Sequence, residues 1–148
     1  MKVILPTTLL ASMLAVAAVD AGSPILTELE AELAQSADPE HGQVLYESRC
    51  IGCHSLDADR VGPAHRGVYG RRAGEVEGYA YSAALRESDV IWNVATLERW
   101  LTNPQDAIPG QKMNFRVAER ADRLDIIAYL KQESGLKQES GLKQESGG

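Results

Sequence analysis

The stretch CIGCH, residues 50–54, contains the only two cysteines of the 148-residue chain and places His54 directly after the second. Two cysteines separated by two residues can form a small redox-type disulfide, contribute two zinc ligands, or attach a c-type haem. A structural zinc ion needs about four ligands, and no second Cys/His cluster follows in the sequence. CxxCH is the signature of haem attachment, since two thioethers reach two vinyl groups while the adjacent His binds the iron. By itself the motif leaves these alternatives open.

The first 21 residues have the composition of a secretory signal peptide. Lys2 precedes a mostly apolar run from Val3 to Val19, and small residues follow as far as Ala21, after which we place the cleavage. The alternative is an uncleaved anchor, although a membrane-spanning helix usually needs about 20 strongly apolar residues. Both interpretations predict export, to the periplasm or to the periplasmic face of the inner membrane. Export agrees with haem attachment, because c-type haem is attached outside the cytoplasm.

The formal net charge of −6 is concentrated outside the centre of the chain. Residues 22–40 carry five acidic residues and no Lys or Arg, whereas residues 41–131 carry twelve acidic and twelve basic residues. A balanced domain without a basic run gives no case for nucleic-acid binding. We therefore divide the chain into an acidic linker or short helix at 22–40, a domain at 41–131 and a low-complexity tail at 132–148. The tail consists of KQESGL-type repeats, whose composition predicts a solvated, poorly ordered segment.

The central domain has the patterning of helices joined by loops. Asp38-Pro39-Glu40 combines an N-cap, a proline at the first helical position and an acid in the first turn, and predicts a helix to about Cys50. LERWLTNP predicts a helix that ends before Pro104, and VAERADRLDIIAYLKQ has the strongest apolar stripe of the chain. No segment alternates convincingly as a strand, so we predict a small all-α domain. Its long Gly-rich loops need something to pack on.

Met113 is the only methionine outside the predicted signal peptide. Haem iron used for electron transfer has a ligand in its sixth coordination position, and methionine in that position raises the reduction potential. Met113 ends the Pro/Gly-containing sequence IPGQKM, and a rigid loop of this kind is well placed to approach the iron from the face opposite His54. The alternative is a core methionine that fills a packing gap.

A series of motifs, taken in chain order, resembles the class I cytochromes c, of the mitochondrial cytochrome c and bacterial cytochrome c2 type. The resemblance extends from Gly42 to Leu130 and rests on CIGCH, RVGPAHRGVYGRRAG, GYAYSAAL, IWN, LERWLTNP, IPGQKM and DIIAYLK. It implies an all-α shell around one covalent haem c. The residues that it assigns to haem attachment and to iron ligation are Cys50, Cys53, His54 and Met113.

The resemblance also implies roles for residues around the haem. The carbonyl of Pro63 accepts a hydrogen bond from the His54 ring and fixes its tautomer. Trp100 lies near the Met ligand, where the family often has Tyr, and Gln111 replaces a common Thr. The residues that match hydrogen-bonding partners of a haem propionate or its surroundings are Arg71, Tyr81 and Trp92.

The resemblance further implies that the N- and C-terminal helices of the domain cross, with a small residue at the crossing. The residues expected there are Gly42 and Tyr46 on one helix and Ile126 and Tyr129 on the other. Of the two histidines outside CIGCH, His65 is a poor candidate for the sixth ligand, since the chain from Pro63 stays on the His54 side. We expect His41 to be a solvent-exposed residue. We expect His65, which stands where the family usually has Leu, to cover the haem on the His54 side.

We predict a monomeric single-haem electron carrier rather than an enzyme, with iron cycling between Fe(III) and Fe(II). The expected partners are redox proteins, a cytochrome reductase, oxidase or dehydrogenase, that dock at the haem edge near Arg49, Arg60 and Lys112. Since this positive ring is thin, docking should be weak and salt-sensitive. The alternatives are a peroxidase-like haem enzyme or sensor with a displaceable Met ligand, and a membrane-anchored cytochrome subunit.

Overall fold

The computed structural model describes residues 23–145, and their regular secondary structure is helical apart from one isolated bridge between Arg72 and Ile91. The predicted all-α class is thereby confirmed. The helices are α1 (Pro24–Ser36), α2 (Pro39–Arg49), α3 (Ala83–Arg86), α4 (Val94–Thr102), α5 (Pro104–Ala107) and α6 (Arg120–Glu145). None of these helices has the length and apolar character that a membrane crossing requires. The predicted signal peptide at 1–21 lies outside the described residues.

Helices α2 and α6 cross as predicted, with Gly42 at the crossing. A Cβ atom on Gly42 would lie 2.0 Å from the carbonyl oxygen of Asp125, so only a glycine permits this approach of the two backbones. The rings of Tyr46 and Tyr129 pack beside the crossing, with 5.4 Å between their centroids. Ile126, whose backbone nitrogen would lie 3.1 Å from the same Cβ, is almost completely buried. The crossed-helix arrangement of the all-α fold is therefore confirmed.

Asp125 also joins the first turn of α2 to α6. The Asp38 side chain caps α2 by accepting hydrogen bonds from the backbone N–H groups of Glu40 and His41, as its sequence predicts. Asp125 Oδ1 then accepts from the Asp38 N–H at 2.8 Å, and Asp125 Oδ2 lies 2.8 Å from His41 Nδ1. His41 is exposed, as expected, and its ring in addition pairs with a carboxylate of α6.

Of the two expectations for residues 22–40, an acidic linker or a short helix, the structure has a helix, and α1 packs against α4 and α6. Leu33 is only 3 % exposed and belongs to the main hydrophobic core. Glu30 pairs with Lys131, and Glu32 pairs with Arg120. The domain boundary at residues 40/41 therefore does not coincide with a boundary of the core. Charge balance could not reveal this, because the acidic residues of α1 neutralise basic residues distant in sequence.

Helix α6 continues past the boundary placed at residue 131. Ser134 and Glu133 are both buried. Ser134 Oγ donates to the carbonyl of Leu130 at 2.8 Å and accepts from the Tyr69 N–H at 3.0 Å. Glu133 pairs with Arg66. The first repeat unit is thus part of the folded domain, because its polar side chains find partners on the loop after CIGCH.

Candidate functional site

A cavity of about 610 Å³ opens between α2, α4, α6 and the loops that connect them. This volume falls within the range of roughly 300–1,000 Å³ that is typical of small-molecule and cofactor sites. Every site residue predicted from the sequence lines it: Cys50, Cys53, His54, Pro63, Arg71, Tyr81, Trp92, Trp100 and Met113. The remaining wall is largely aliphatic and aromatic, so the long loops enclose a space suited to a large apolar ligand.

The CIGCH segment forms a tight turn at the end of α2. The carbonyl of Cys50 accepts from the N–H groups of Cys53 and His54, at 3.1 and 2.9 Å. Both thiols are free, and burial raises the pKa of the Cys50 thiol to about 11. A redox-active CxxC pair instead needs a thiol with a lowered pKa. Within the described part of the chain no three His, Cys, Asp or Glu side chains gather into a group that could hold a metal ion, as zinc would require.

The orientation of the His54 ring is set by the segment that follows it. Its Nδ1 lies 2.9 Å from the carbonyl oxygen of Pro63, which can only accept a hydrogen bond, so Nδ1 carries the proton. Nε2 is then the nitrogen with a free lone pair, as metal ligation requires. Burial lowers the pKa of His54 and favours the same neutral form. A Cβ on Gly62 would lie 2.1 Å from Cε1 of this ring, so Gly62 packs directly on it.

His65 stacks on the His54 ring, on the expected side of the cavity. The ring centroids are 4.0 Å apart and the planes differ by 21°. His65 Nδ1 is buried without a hydrogen-bond partner among the described residues. Burial, followed by the neighbouring His54 and Arg71, holds the pKa of His65 well below its usual value. The His65 imidazole is therefore neutral at physiological pH.

The Met113 loop is held by Gln111, which stands where the resembling family commonly has Thr. Gln111 is buried, and its side-chain oxygen accepts a hydrogen bond from the Met113 N–H. Its side-chain nitrogen donates to Gln105 Oε1 at 3.3 Å. Gln111 thus acts as an internal brace for the turn, and Met113 lines the same cavity as His54.

Arg71 presents a half-buried guanidinium group to the cavity. It donates to the carbonyls of Ala64 and Arg66, at 3.0 and 3.3 Å, and has no carboxylate within ion-pair distance among the described residues. Burial lowers its pKa. A buried charge is costly unless it is paired, so this position favours an anionic group in the cavity.

The aromatic residues of the wall pack on one another in pairs. Trp92 and Trp100 meet edge to face with 5.2 Å between ring centroids, and Tyr81 meets Tyr79 at 4.7 Å. Sequence reasoning missed Tyr79, whose hydroxyl donates to the carbonyl of Val61 and so joins two segments that both line the cavity. The only sequence signal for it was its place beside Tyr81 in GYAY.

The predicted ring of positive charge is weaker than its sequence suggests. Arg49 lies in an ion pair with Asp122 of α6 at 2.7 Å, so its charge is largely offset. Arg60 donates to the carbonyl of Ile51 and forms no ion pair among the described residues. Lys112 is exposed at the cavity rim. Arg49 is thus committed to the contact between α2 and α6, a long-range pairing that the sequence did not show.

Comparison with known proteins agrees with this geometry. The sequence profile of the family described as "Cytochrome c" matches residues 39–134. Cytochrome c of Euglena viridis is 46 % identical over 97 residues, covering 64 % of this chain and 95 % of that protein. Cytochrome c2 of Rhodoblastus acidophilus is 41 % identical over 101 residues, covering 66 % and 94 %. The solved structure of cytochrome cH from Methylobacterium extorquens superposes with a TM-score of 0.62 at 39 % identity, covering 65 % of this chain and 99 % of that one.

Members of this family carry one covalently attached haem c, and the residues of the cavity fit that group. Two free thiols and an oriented imidazole stand together at one wall, and the unpaired Arg71 offers a partner for a propionate. The matched segment includes the crossed helices, the CIGCH turn and the Met113 loop. The chain therefore belongs to the cytochrome c family.

Proposed function

We propose that this protein is a single-haem electron carrier whose iron is ligated by His54 and Met113. The haem contributes a metal centre that alternates between Fe(III) and Fe(II). The observation that carries the proposal is the orientation of His54: its Nδ1–H donates to Pro63, which leaves Nε2 available, in a cavity that Met113 also lines.

The protein's part in electron transfer is to keep the ligand geometry the same in both oxidation states. Gly62 and Pro63 hold the His54 ring from two directions, and Gln111 holds the backbone of Met113. Since both ligand segments are braced by protein groups, little has to reorganise when the charge of the iron changes. With His54 and Met113 both bound to the iron, no coordination position would be open to a substrate, which would separate a carrier from a haem enzyme.

Arg71, Tyr81 and Trp92 are proposed to hold the haem propionates and their surroundings. The Arg71 guanidinium donates to two backbone carbonyls, and Arg71 lines the cavity. The Tyr81 hydroxyl accepts from the Val76 N–H at 3.4 Å and retains its own proton for donation. These groups would offset the cost of bringing a carboxylate into a largely apolar cavity.

The proposed partners are respiratory or dehydrogenase/oxidase redox proteins in the periplasm, met by a monomeric carrier exported with its N-terminal signal. Lys112 supplies positive charge on the lining of the cavity, Arg60 directly precedes the lining residue Val61, and Val61 and Phe115 are exposed apolar residues of that lining. With Arg49 paired, docking should combine a small apolar contact with weak electrostatic steering. Rates of electron transfer to an isolated oxidase or reductase should therefore fall only moderately with ionic strength. An electron-transfer rate that does not change with salt concentration would contradict electrostatic steering.

The absorption spectrum tests the ligand set. The oxidised protein should show the weak far-red band expected of Met–Fe(III) ligation, and Met113→Ala should abolish it and admit external ligands such as imidazole. A high-spin spectrum in the wild-type protein, or a Met113→Ala spectrum identical to wild type, would contradict the proposal. The former result would favour an enzyme or sensor with an open sixth position.

A further inference from the structure

Gly62 and His65 contact the two faces of the His54 ring. A Cβ on Gly62 would lie 2.1 Å from Cε1 and 2.5 and 2.6 Å from the two ring nitrogens, which places Gly62 directly above the ring rather than at its edge. His65 lies nearly parallel to the same ring at a centroid distance of 4.0 Å. Two groups in contact with one face of so small a ring would overlap each other. Gly62 and His65 therefore lie on opposite faces.

His65 is itself held in place from two sides. Its backbone N–H donates to the carbonyl of Ser55 at 2.9 Å, so its segment is tied to the residue that follows His54. The ring of Tyr46 meets it edge to face with 5.7 Å between centroids. Tyr46 is 2 % exposed and packs in turn on Tyr129 of α6. The stacked ring is thus braced against the crossing of α2 and α6.

We propose that His65 is a positioning residue for the iron ligand, fixing the plane of the His54 ring together with Gly62 and Pro63 and lowering the reduction potential. The inference rests on the ligation by His54 proposed above. Groups that surround a metal-bound histidine set its orientation and basicity, and thereby tune the metal. A polarisable aromatic face in contact with the ligand ring stabilises the more positive oxidised state better than an aliphatic side chain does.

The haem-loaded protein provides the test through three variants. His65→Leu removes the aromatic face, His65→Phe keeps a ring in the same place, and His41→Asn is a control that replaces a histidine outside the cavity wall. The readouts are the midpoint potential and the paramagnetically shifted His54 ring resonances of the oxidised protein. We expect a raised potential and displaced His54 resonances in His65→Leu, a smaller change in His65→Phe, and none in His41→Asn.

The inference is overturned if His65→Leu retains the wild-type potential and the wild-type His54 resonances, even when its melting temperature falls. Should His65→Leu fail to hold haem, His65→Met tests the same loss of the aromatic face with the same expectation. Failure of the proposed function has a different signature. In that case the wild-type protein itself would lack paramagnetically shifted His54 ring resonances.

Discussion

Gly42 of α2 lies directly against the main chain of Asp125 in α6, so that a Cβ would come within 2.0 Å of the Asp125 carbonyl oxygen. Because the obstacle is backbone, Gly42→Ala must push the two helices apart. We expect a loss of about 3 kcal/mol in the free energy of unfolding, at the upper end of ordinary overpacking. Urea denaturation measures it.

Gly135 provides the matched control for this substitution. Gly135 also lies in α6, the helix that crosses α2, but a Cβ added to it would have no atom within 4 Å. Gly135→Ala should therefore stabilise the protein by up to about 1 kcal/mol through helix propensity. Equal effects of the two substitutions would show that the crossing is not limited by Gly42.

The His41–Asp125 pair predicts a pH dependence of stability. The hydrogen bond to Asp125 raises the pKa of His41 above its usual value of 6.5. A raised folded-state pKa stabilises the folded protein fully below pH 6.5, and the contribution disappears as the pH rises through the folded value. The difference in unfolding free energy between wild type and His41→Asn should thus be largest near pH 5.5 and shrink toward pH 8.5. A constant difference across this range would contradict the assignment.

Leu33 tests whether α1 is part of the domain. Its side chain is 3 % exposed, so Leu33→Ala should cost about 2–5 kcal/mol. Ile25, on the same helix, is 67 % exposed, and Ile25→Ala should change stability by less than about 0.5 kcal/mol. Thermal denaturation followed by circular dichroism distinguishes them. If both variants have the melting temperature of the wild type, α1 does not contribute to the core.

Two truncations locate the end of the domain. A chain that ends at Gly135 keeps the Glu133–Arg66 pair and the Ser134–Tyr69 hydrogen bond, whereas a chain that ends at Lys131 loses both. We expect the first to match the full-length protein. The second should be less stable by about 1–3 kcal/mol, because the Tyr69 N–H and the Arg66 guanidinium lose buried partners. Equal melting temperatures would place the boundary at 131 instead.

If Met113 ligates the iron as proposed, Gln111 should control how easily Met113 dissociates from it. Its side chain accepts from the Met113 N–H, so Gln111→Ala frees the loop at the cost of one hydrogen bond. Imidazole should then bind the oxidised protein about tenfold more tightly, which corresponds to roughly 1.4 kcal/mol. Gln105→Ala is the control, since Gln105 contacts Gln111 and not the Met113 backbone. Unchanged imidazole affinity in Gln111→Ala would reject the brace.

Much of the fold followed from local sequence signals. The Asp38-Pro39 start of α2 and the end of α4 before Pro104 depend on capping and on proline, which act within a few residues. The Gly42 crossing was predicted from the resemblance. The identity of its obstacle, the Asp125 carbonyl, was not, because backbone atoms leave no pattern in a sequence.

The sequence by itself determined the all-α class and predicted the residues of the candidate site. The CIGCH spacing, the Met113 loop and the helical apolar stripes are local properties, and all the predicted site residues line one cavity. Only the tertiary structure decided which charges are free and which rings touch. The partners of Arg49 and His41, the burial of α1 and of Ser134, and the stack of His65 on His54 all join segments whose contact depends on packing of the whole chain. The amino-acid composition gives the number of such residues, but it does not show which of them contact each other.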